Sequence, residues 1–185
     1  MELLELMYNQ MDKDKIPDIQ LVDNFFDDID LVLDFANKLN YLDKTNFNFT
    51  TGETDNWPGI RTYSLDSQPP LQLMLNFYVH KKFFLPELDA AYFFHKRGTK
   101  DNNKDWPHKD QSRYALIVYL SDTNLESGTI FYDDNKKITT DIGFVKNRAI
   151  LFNGQVSHKS KLNFGSNDSM RLTLNGFFYD KKKPI

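Results

Sequence analysis

The stretch that decides the fold is YALIVYL, residues 114–120, an unbroken apolar and aromatic run. Its length suits a strand better than a helix, and its β-branched and aromatic residues favour an extended chain. Aromatic residues make up 15% of the whole sequence, including sixteen Phe and nine Tyr, which also favours a β-rich core. We therefore predict a buried β-strand at 114–120.

Further strands are predicted on both sides of this run. They are Leu88–His95, Thr129–Tyr132, Ile138–Val145, Ala149–Phe152 and Leu172–Tyr179. Turns rich in Gly, Asn and Asp separate them, and short strands at this spacing are typical of a β-sandwich or barrel. The predicted fold class is mainly β, a jelly roll whose core covers about residues 88–180.

The N-terminal part of the chain is predicted to add a helical layer. A short strand at Ile19–Phe26 precedes Asp28, which can cap a helix whose apolar pattern runs to Leu39. Pro69-Pro70 can open a second helix, because proline is tolerated in the first turn. The polar segment Thr45–Asn56 is predicted to be a loop, and the first fifteen residues to fray or form a loose helix.

Bulk composition predicts one domain over residues 1–185. The net charge of −3 gives no field that would attract nucleic acid, so we do not expect a nucleic-acid partner. The chain has no cysteine, no signal-peptide pattern and no apolar run of membrane-spanning length. We expect a cytoplasmic protein, in the host cytoplasm if it is virus-encoded; the oligomeric state stays open.

Candidate metal ligands stand at His108 and Asp110, with Lys109 between them. On an extended chain, residues i and i+2 project from the same face, so both side chains could reach one ion. His158 follows a predicted strand and turn that would bring it back beside them. Two imidazoles and one carboxylate form the facial triad of non-haem Fe(II) oxygenases, which leaves metal positions open.

Arg171 is the candidate binder of an anionic cosubstrate. In the strand from 171, Arg171, Thr173 and Asn175 share one face, and Leu172 and Leu174 share the other. An arginine that enters a barrel interior is costly unless an anion meets it. The distal carboxylate of 2-oxoglutarate is such an anion, held by the guanidinium and the Thr173 hydroxyl. Tyr119 could place its phenol near the same carboxylate.

These residues carry a resemblance to a known family. The sequence is similar to the small 2-oxoglutarate/Fe(II)-dependent oxygenases of the prolyl-hydroxylase-like superfamily, including bacteriophage-borne members. The similarity covers about Trp106 to Phe178. Its motifs are Pro107–Asp110, Tyr114-Ala115, Tyr119–Asp122, Ser127–Tyr132, His158 and Arg171–Thr173. Ser127 departs from the glycine that the family often has, at a turn and not at a ligand.

The resemblance implies a double-stranded β-helix and a hydroxylase. His108, Asp110 and His158 would bind Fe(II), and Arg171 with Tyr119 would hold 2-oxoglutarate. O2 would be the second cosubstrate, and succinate and CO2 the coproducts of dioxygenase turnover. The primary substrate is expected to be a small molecule or a peptide. Collagen-type prolyl hydroxylases commonly use lysine where this chain has Arg171, so proline is not implied as the substrate.

Two other classes of function stay open at this stage. One is a cupin-type metal enzyme that works without 2-oxoglutarate; its spare histidines would be His80 and His95, neither at ligand spacing. The other is a non-catalytic β-sandwich binding module. We predict that His95 is not a metal ligand. Whether Trp57, Arg61 and Trp106 rim the pocket and contact substrate also stays open.

Overall fold

The computed structural model describes residues 18–51, 57–85, 88–101, 105–161 and 170–181. Its helices are α1 (Ile29–Asn37), α2 (Lys44–Thr51) and α3 (Pro69–Phe83). Its strands are β1 (Ile19–Val22), β2 (Leu42–Asp43), β3 (Ile60–Arg61), β4 (Asp89–Arg97), β5 (Tyr114–Tyr119), β6 (Asn124–Tyr132), β7 (Ile138–Phe144), β8 (Ala149–Asn153), β9 (Ser157–Lys161) and β10 (Arg171–Tyr179). The described chain is therefore mainly β, as predicted.

The strands form two antiparallel sheets. The large sheet has the order β1-β8-β5-β10-β4-β3-β2, and the small sheet has the order β7-β6-β9. From β5 onward the chain enters the small sheet with β6 and β7, returns with β8, leaves again with β9 and ends in β10. The small sheet packs against the β5 and β8 part of the large sheet, because residues of β6 and β7 share an apolar cluster with residues of β5 and β8.

Two apolar clusters lie on opposite faces of the large sheet. The interior cluster fills the space between the sheets and contains Ala115, Tyr119, Phe131, Ile142, Phe144, Ile150 and Phe152. The helix-side cluster joins Leu116, Val118 and Leu174 of the large sheet to residues of α1 and α3. Strand β5 contributes to both clusters because successive side chains point to opposite faces. This double burial explains why 114–120 is apolar throughout.

Helices α1 and α3 begin where the sequence indicates. The Asp28 carboxylate accepts a hydrogen bond from the Leu31 amide at 3.1 Å and caps α1. Helix α3 starts at Pro69-Pro70 and buries Leu71, Leu75, Val79 and Phe83, one residue per turn on a single face. No described helix is long and apolar enough to span a membrane.

The predicted loop at Thr45–Asn56 is wrong in its first half, because α2 occupies it. Asp43 supplies the cap, since its carboxylate accepts a hydrogen bond from the Asn46 amide at 2.9 Å. Phe47 is 2% exposed and packs edge-on against Trp57, with ring centroids 5.7 Å apart. Tertiary packing therefore overrides the weak helix propensity of the Asn and Thr residues. Residues 1–17 and 52–56, and with them the predicted N-terminal fraying, lie outside the described residues.

Candidate metal centre

His108 and His158 lie side by side because their backbones pair. The His108 amide donates to the His158 carbonyl at 2.9 Å, and the His158 amide donates to the His108 carbonyl at 2.9 Å. This antiparallel bridge brings two residues that are distant in sequence into register. Their imidazole ring centroids are 4.5 Å apart. The small sheet supports the arrangement, because His158 also pairs with Phe131 across β9 and β6.

Asp110 completes the group from the turn after His108. Its amide donates to the Gly154 carbonyl at 2.8 Å, and its carbonyl accepts from the Gln155 side chain at 2.9 Å. Its carboxylate oxygens then lie 3.9 Å from His108 Nε2 and 3.6 Å from His158 Nε2. One potential ligand atom from each of the three residues lies within 4.8 Å of the other two. The structure therefore brings the three predicted ligands together.

The hydrogen bonds of the imidazoles leave their Nε2 atoms available to a metal. His108 Nδ1 lies 2.9 Å from the Trp106 carbonyl, and His158 Nδ1 lies 3.0 Å from the Val156 carbonyl. A carbonyl only accepts, so each Nδ1 donates to it, and in the neutral form of each imidazole the lone pair is then on Nε2. Ligand bonds of about 2.0–2.2 Å let one ion span up to about 4.2 Å, which exceeds both carboxylate–imidazole distances. The residues present therefore fit an Fe(II)-type ion.

Burial shifts the pKa values of two of these three residues, His158 and Asp110. It lowers the pKa of the His158 imidazole, and the Asp110 carboxylate opposes that change. It raises the pKa of the Asp110 carboxyl, and the nearby His158 and His108 oppose the rise. A neutral imidazole is the form that binds a metal ion. A cation held between these groups would stabilise the carboxylate and offset the cost of its burial.

Gly154 is the position where the backbone must approach most closely. A Cβ atom built there would lie 2.0 Å from the Ser112 carbonyl oxygen, which is backbone and cannot swing aside. The Gly154 carbonyl is also the acceptor of the Asp110 amide. The absence of a side chain at 154 therefore lets the turn that carries Asp110 close onto the end of β8.

We expect Gly154→Ala to destabilise the protein by about 1–3 kcal/mol, the usual cost of forcing extra volume into a packed site. The same change should weaken metal binding, because the displaced backbone holds Asp110. Urea unfolding and a metal titration measure the two effects. Gly98→Ala is the matched control, since a Cβ there would meet nothing closer than Met170 side-chain atoms at 3.8 Å. Equal stability of the two variants would contradict the prediction.

A cavity of about 220 Å³ opens beside the three candidate metal ligands. His108, Asp110 and His158 line it, and so do Thr129 and Asn175. The three residues whose position the sequence left open, Trp57, Arg61 and Trp106, also line it. Aromatic side chains form much of its wall, and they include Phe93, Phe152 and Phe177. The cavity is thus the space in which a molecule bound at the metal would lie.

Arg171, Thr173 and Tyr119 adjoin this cavity without lining it. Arg171 and Thr173 lie on the inward face of β10, as predicted, and Asn175 on the same face reaches the cavity. The Arg171 guanidinium carbon is 5.6 Å from the centroid of the Tyr119 ring and 5.1 Å from that of Phe144. The Tyr119 hydroxyl donates to Thr129 Oγ1 at 2.7 Å. Tyr119 is therefore linked to the cavity wall through Thr129.

Burial lowers the pKa of Arg171 to about 10, and the nearby Tyr119 opposes the change. The guanidinium therefore keeps its charge near neutral pH. A buried cation on the inner face of a strand is costly unless an anion meets it. Arg171 therefore places a buried positive charge on the inward face of β10, beside Tyr119.

Two polar residues of β4, His95 and Arg97, also line the cavity, and the sequence analysis predicted this position for neither of them. His95 and Arg97 alternate with Phe94 and Lys96, so both face the space between the sheets. His95 Nε2 donates to the Pro58 carbonyl at 2.6 Å. Burial, with the charge of Arg97, lowers the pKa of His95 to about 3. This neutral histidine lies outside the three-residue group around Asp110. The two-residue period of a strand over 89–97 puts both residues on one face, and this is the signal that would have found them.

Arg61 occupies an aromatic cage at the cavity wall. Its guanidinium carbon lies 4.1 Å from the Phe47 ring centroid, 4.4 Å from that of Trp57 and 4.7 Å from that of Phe93. Cation–π contacts of this kind hold a guanidinium in a fixed place. The helix α2, which the sequence did not predict, supplies Phe47 and thereby shapes this wall.

Comparison with known proteins rests on structure alone. No protein-family model matches the sequence, and no curated protein matches it significantly. An oxidoreductase of the 2OG-Fe(II) oxygenase family from Burkholderia pseudomallei has a similar structure, with a TM-score of 0.63 and 8% identity; the alignment covers 88% of this chain and 84% of that one. A Pseudomonas putida prolyl-4-hydroxylase has a TM-score of 0.55 and 15% identity, with coverage of 89% and 94%.

The epimerase SnoN from nogalamycin biosynthesis is also similar. Its complex with Fe3+, alpha-ketoglutarate and nogalamycin RO gives a TM-score of 0.55 at 13% identity, over 97% of this chain and 84% of that one. Identities this low show the fold alone. The fold of this protein is thus a mainly β jelly roll, which it shares with these structures.

Proposed function

We propose that this protein is an Fe(II)- and 2-oxoglutarate-dependent dioxygenase that hydroxylates a small-molecule or peptide substrate. The observation that carries the proposal is the convergence of His108, Asp110 and His158, with both Nε2 atoms available and the carboxylate 3.6–3.9 Å from them. Two histidines and one carboxylate are the ligand set of non-haem Fe(II) oxygenases. The shared fold of the oxygenases compared above supports the same assignment.

Each side chain then has a proposed role. His108, Asp110 and His158 hold the iron, which when bound supplies open positions for 2-oxoglutarate and O2. Arg171 holds the distal carboxylate of 2-oxoglutarate, because a guanidinium can make two parallel charge-assisted hydrogen bonds to it. Tyr119 and Thr173, which are cross-strand partners on β5 and β10, would provide further hydroxyl contacts. The aromatic wall of the cavity keeps water away from the reacting groups.

The geometry does not favour a cupin-type centre. Its extra ligand would have to come from His80 or His95, and neither joins the group around Asp110 among the described residues. His80 lies on α3, where its Nδ1 is 3.1 Å from the Leu85 carbonyl. His95 is engaged with the Pro58 carbonyl. Two histidines and one carboxylate remain as the ligand set.

The proposal is tested by succinate release. We expect the purified protein to convert 2-oxoglutarate to succinate slowly when Fe(II) and O2 are present, and faster when a substrate is added. A screen over free amino acids, peptides, nucleotides and lipids would find the substrate class by this acceleration. Samples without O2, without Fe(II), or with His158→Ala are the controls and should form no succinate. Absence of iron-dependent succinate across the whole screen would contradict the proposal.

A further inference from the structure

A buried ion pair lies beside the metal ligands. Arg97 Nη1 is 3.0 Å from Asp105 Oδ2, and the two side chains are only 7% and 8% exposed. Both residues line the cavity. A buried ion pair adds little net stability, because desolvation of the two charges offsets their attraction. Stability alone therefore does not account for the pair, which contacts two other segments near the cavity.

The pair is tied to the strand that carries His158. The Ser160 amide donates to Asp105 Oδ2 at 2.8 Å, and Arg97 Nη1 donates to Ser160 Oγ at 2.9 Å. Ser160 follows His158 by two residues on β9, so both side chains lie on the same face. Strand β9 is at the edge of the small sheet, whereas Arg97 ends β4 of the large sheet. These contacts therefore join the two sheets next to the candidate metal ligand His158.

The pair is also tied to the segment that carries His108. Asp105 is followed directly by Trp106, whose amide lies 3.2 Å from Asp105 Oδ1. The Trp106 carbonyl accepts the hydrogen bond from His108 Nδ1 at 2.9 Å. The Asp105 carboxylate thus fixes the start of the segment 105–108. Within that segment, the Trp106 carbonyl orients the His108 imidazole. One carboxylate has contacts with both ligand-bearing segments.

We infer that the Arg97–Asp105 pair is a positioning element that sets the separation of the His108 segment from β9, and so the spacing of the two imidazole ligands. The backbone bridge between the two histidines fixes their register, and the ion pair fixes β9 against the large sheet. Outer-shell partners of metal ligands commonly change metal affinity by about 10- to 100-fold when they are removed. The inference rests on the proposed metal centre.

The test uses Co(II) alone as a probe, since its visible spectrum reports the geometry of its ligands. We expect Asp105→Asn to lower Co(II) affinity by about 10- to 100-fold and to alter the spectrum of the bound ion. The asparagine keeps the size of the side chain but turns amide hydrogens toward Arg97 or Ser160. The matched control is Asp134→Asn. It removes an exposed ion pair beside the same candidate ligands, in which Lys109 Nζ lies 3.3 Å from Asp134 Oδ1. It should leave affinity and spectrum unchanged.

Each outcome decides the question. A merely structural role would lower the melting temperature of Asp105→Asn and leave the affinity and spectrum of the folded protein as in wild type, which would overturn the inference. If Asp105→Asn does not fold, the double variant Arg97→Gln/Asp105→Asn removes both buried charges, and wild-type Co(II) binding by it would overturn the inference equally. Failure of the wild type to bind Co(II) would instead overturn the metal centre itself, and the positioning role with it.

Discussion

His108→Ala and His158→Ala are each expected to lower Fe(II) affinity by more than about 100-fold, beyond the range seen when only an outer-shell partner is lost. Each change removes one of two nitrogen ligands and leaves one imidazole and one carboxylate, with water in the vacated position. Of the two variants, His108→Ala is expected to disturb folding less, because the His108 side chain is 38% exposed and its loss opens little space in the core. Anaerobic titration with Fe(II) measures the effect.

His95 provides the matched control, since it is a third histidine that lines the same cavity. His95→Ala should retain Fe(II) binding, and His95→Gln should do so while keeping a donor for the Pro58 carbonyl. Circular dichroism of each metal-free variant would show that the fold is retained. Loss of iron from a folded His95 variant, or full binding by His108→Ala and His158→Ala, would mean that the ligands are wrongly assigned.

Arg171→Ala is expected to weaken 2-oxoglutarate binding by about 30- to 4,000-fold, which corresponds to about 2–5 kcal/mol for truncating one member of a buried charged pair. Residue Arg171 is 7% exposed and its guanidinium keeps its charge at neutral pH, so its removal would leave the cosubstrate carboxylate without this cation. Arg171→Lys should recover only part of the affinity, because an ammonium group cannot make the planar pair of hydrogen bonds.

The affinity of Arg171→Ala for Fe(II) and its affinity for 2-oxoglutarate must be measured separately. Fe(II) affinity without 2-oxoglutarate should change little in Arg171→Ala, because Arg171 lies on β10 and none of the three ligands does. Arg113→Ala is a suitable control, since Arg113 makes an exposed ion pair with Asp180 at 2.7 Å and lies outside the cavity. Unchanged 2-oxoglutarate binding in Arg171→Ala would remove the main reason to name this cosubstrate.

Local sequence patterns predicted most of the strands correctly. The run at 114–120 corresponds to β5, and the predicted strand at 172–179 corresponds to β10. Alternation also placed Arg171 and Thr173 on the inner face and Leu172 and Leu174 on the helix-facing side. Such predictions succeed because the period of side chains along a strand depends only on neighbouring residues. The N-terminal helical layer, the single domain and the similarity to bacteriophage-borne oxygenases stay predictions.

Long-range packing explains what the sequence did not predict. Helix α2 forms within a polar segment because the Phe47 ring packs against the Trp57 ring, and the Arg61 guanidinium packs over the Phe47 ring. The sequence did not indicate a role for Arg97, because its pairing with Asp105, eight residues further along, depends on the path of the chain between them. Contacts of this kind depend on how distant parts of the chain approach each other, which no local pattern records.

By itself the sequence determined the chemical types available for a site, namely two imidazoles and a carboxylate with an inward arginine, and the strands that carry them. Only the tertiary structure decided that His108 and His158 pair through their backbones, that Asp110 lies within 4 Å of both, and that one cavity adjoins them. The physical reason is that ligand type and strand period are properties of short segments. The spacing of ligands fifty residues apart depends instead on the packing of two sheets.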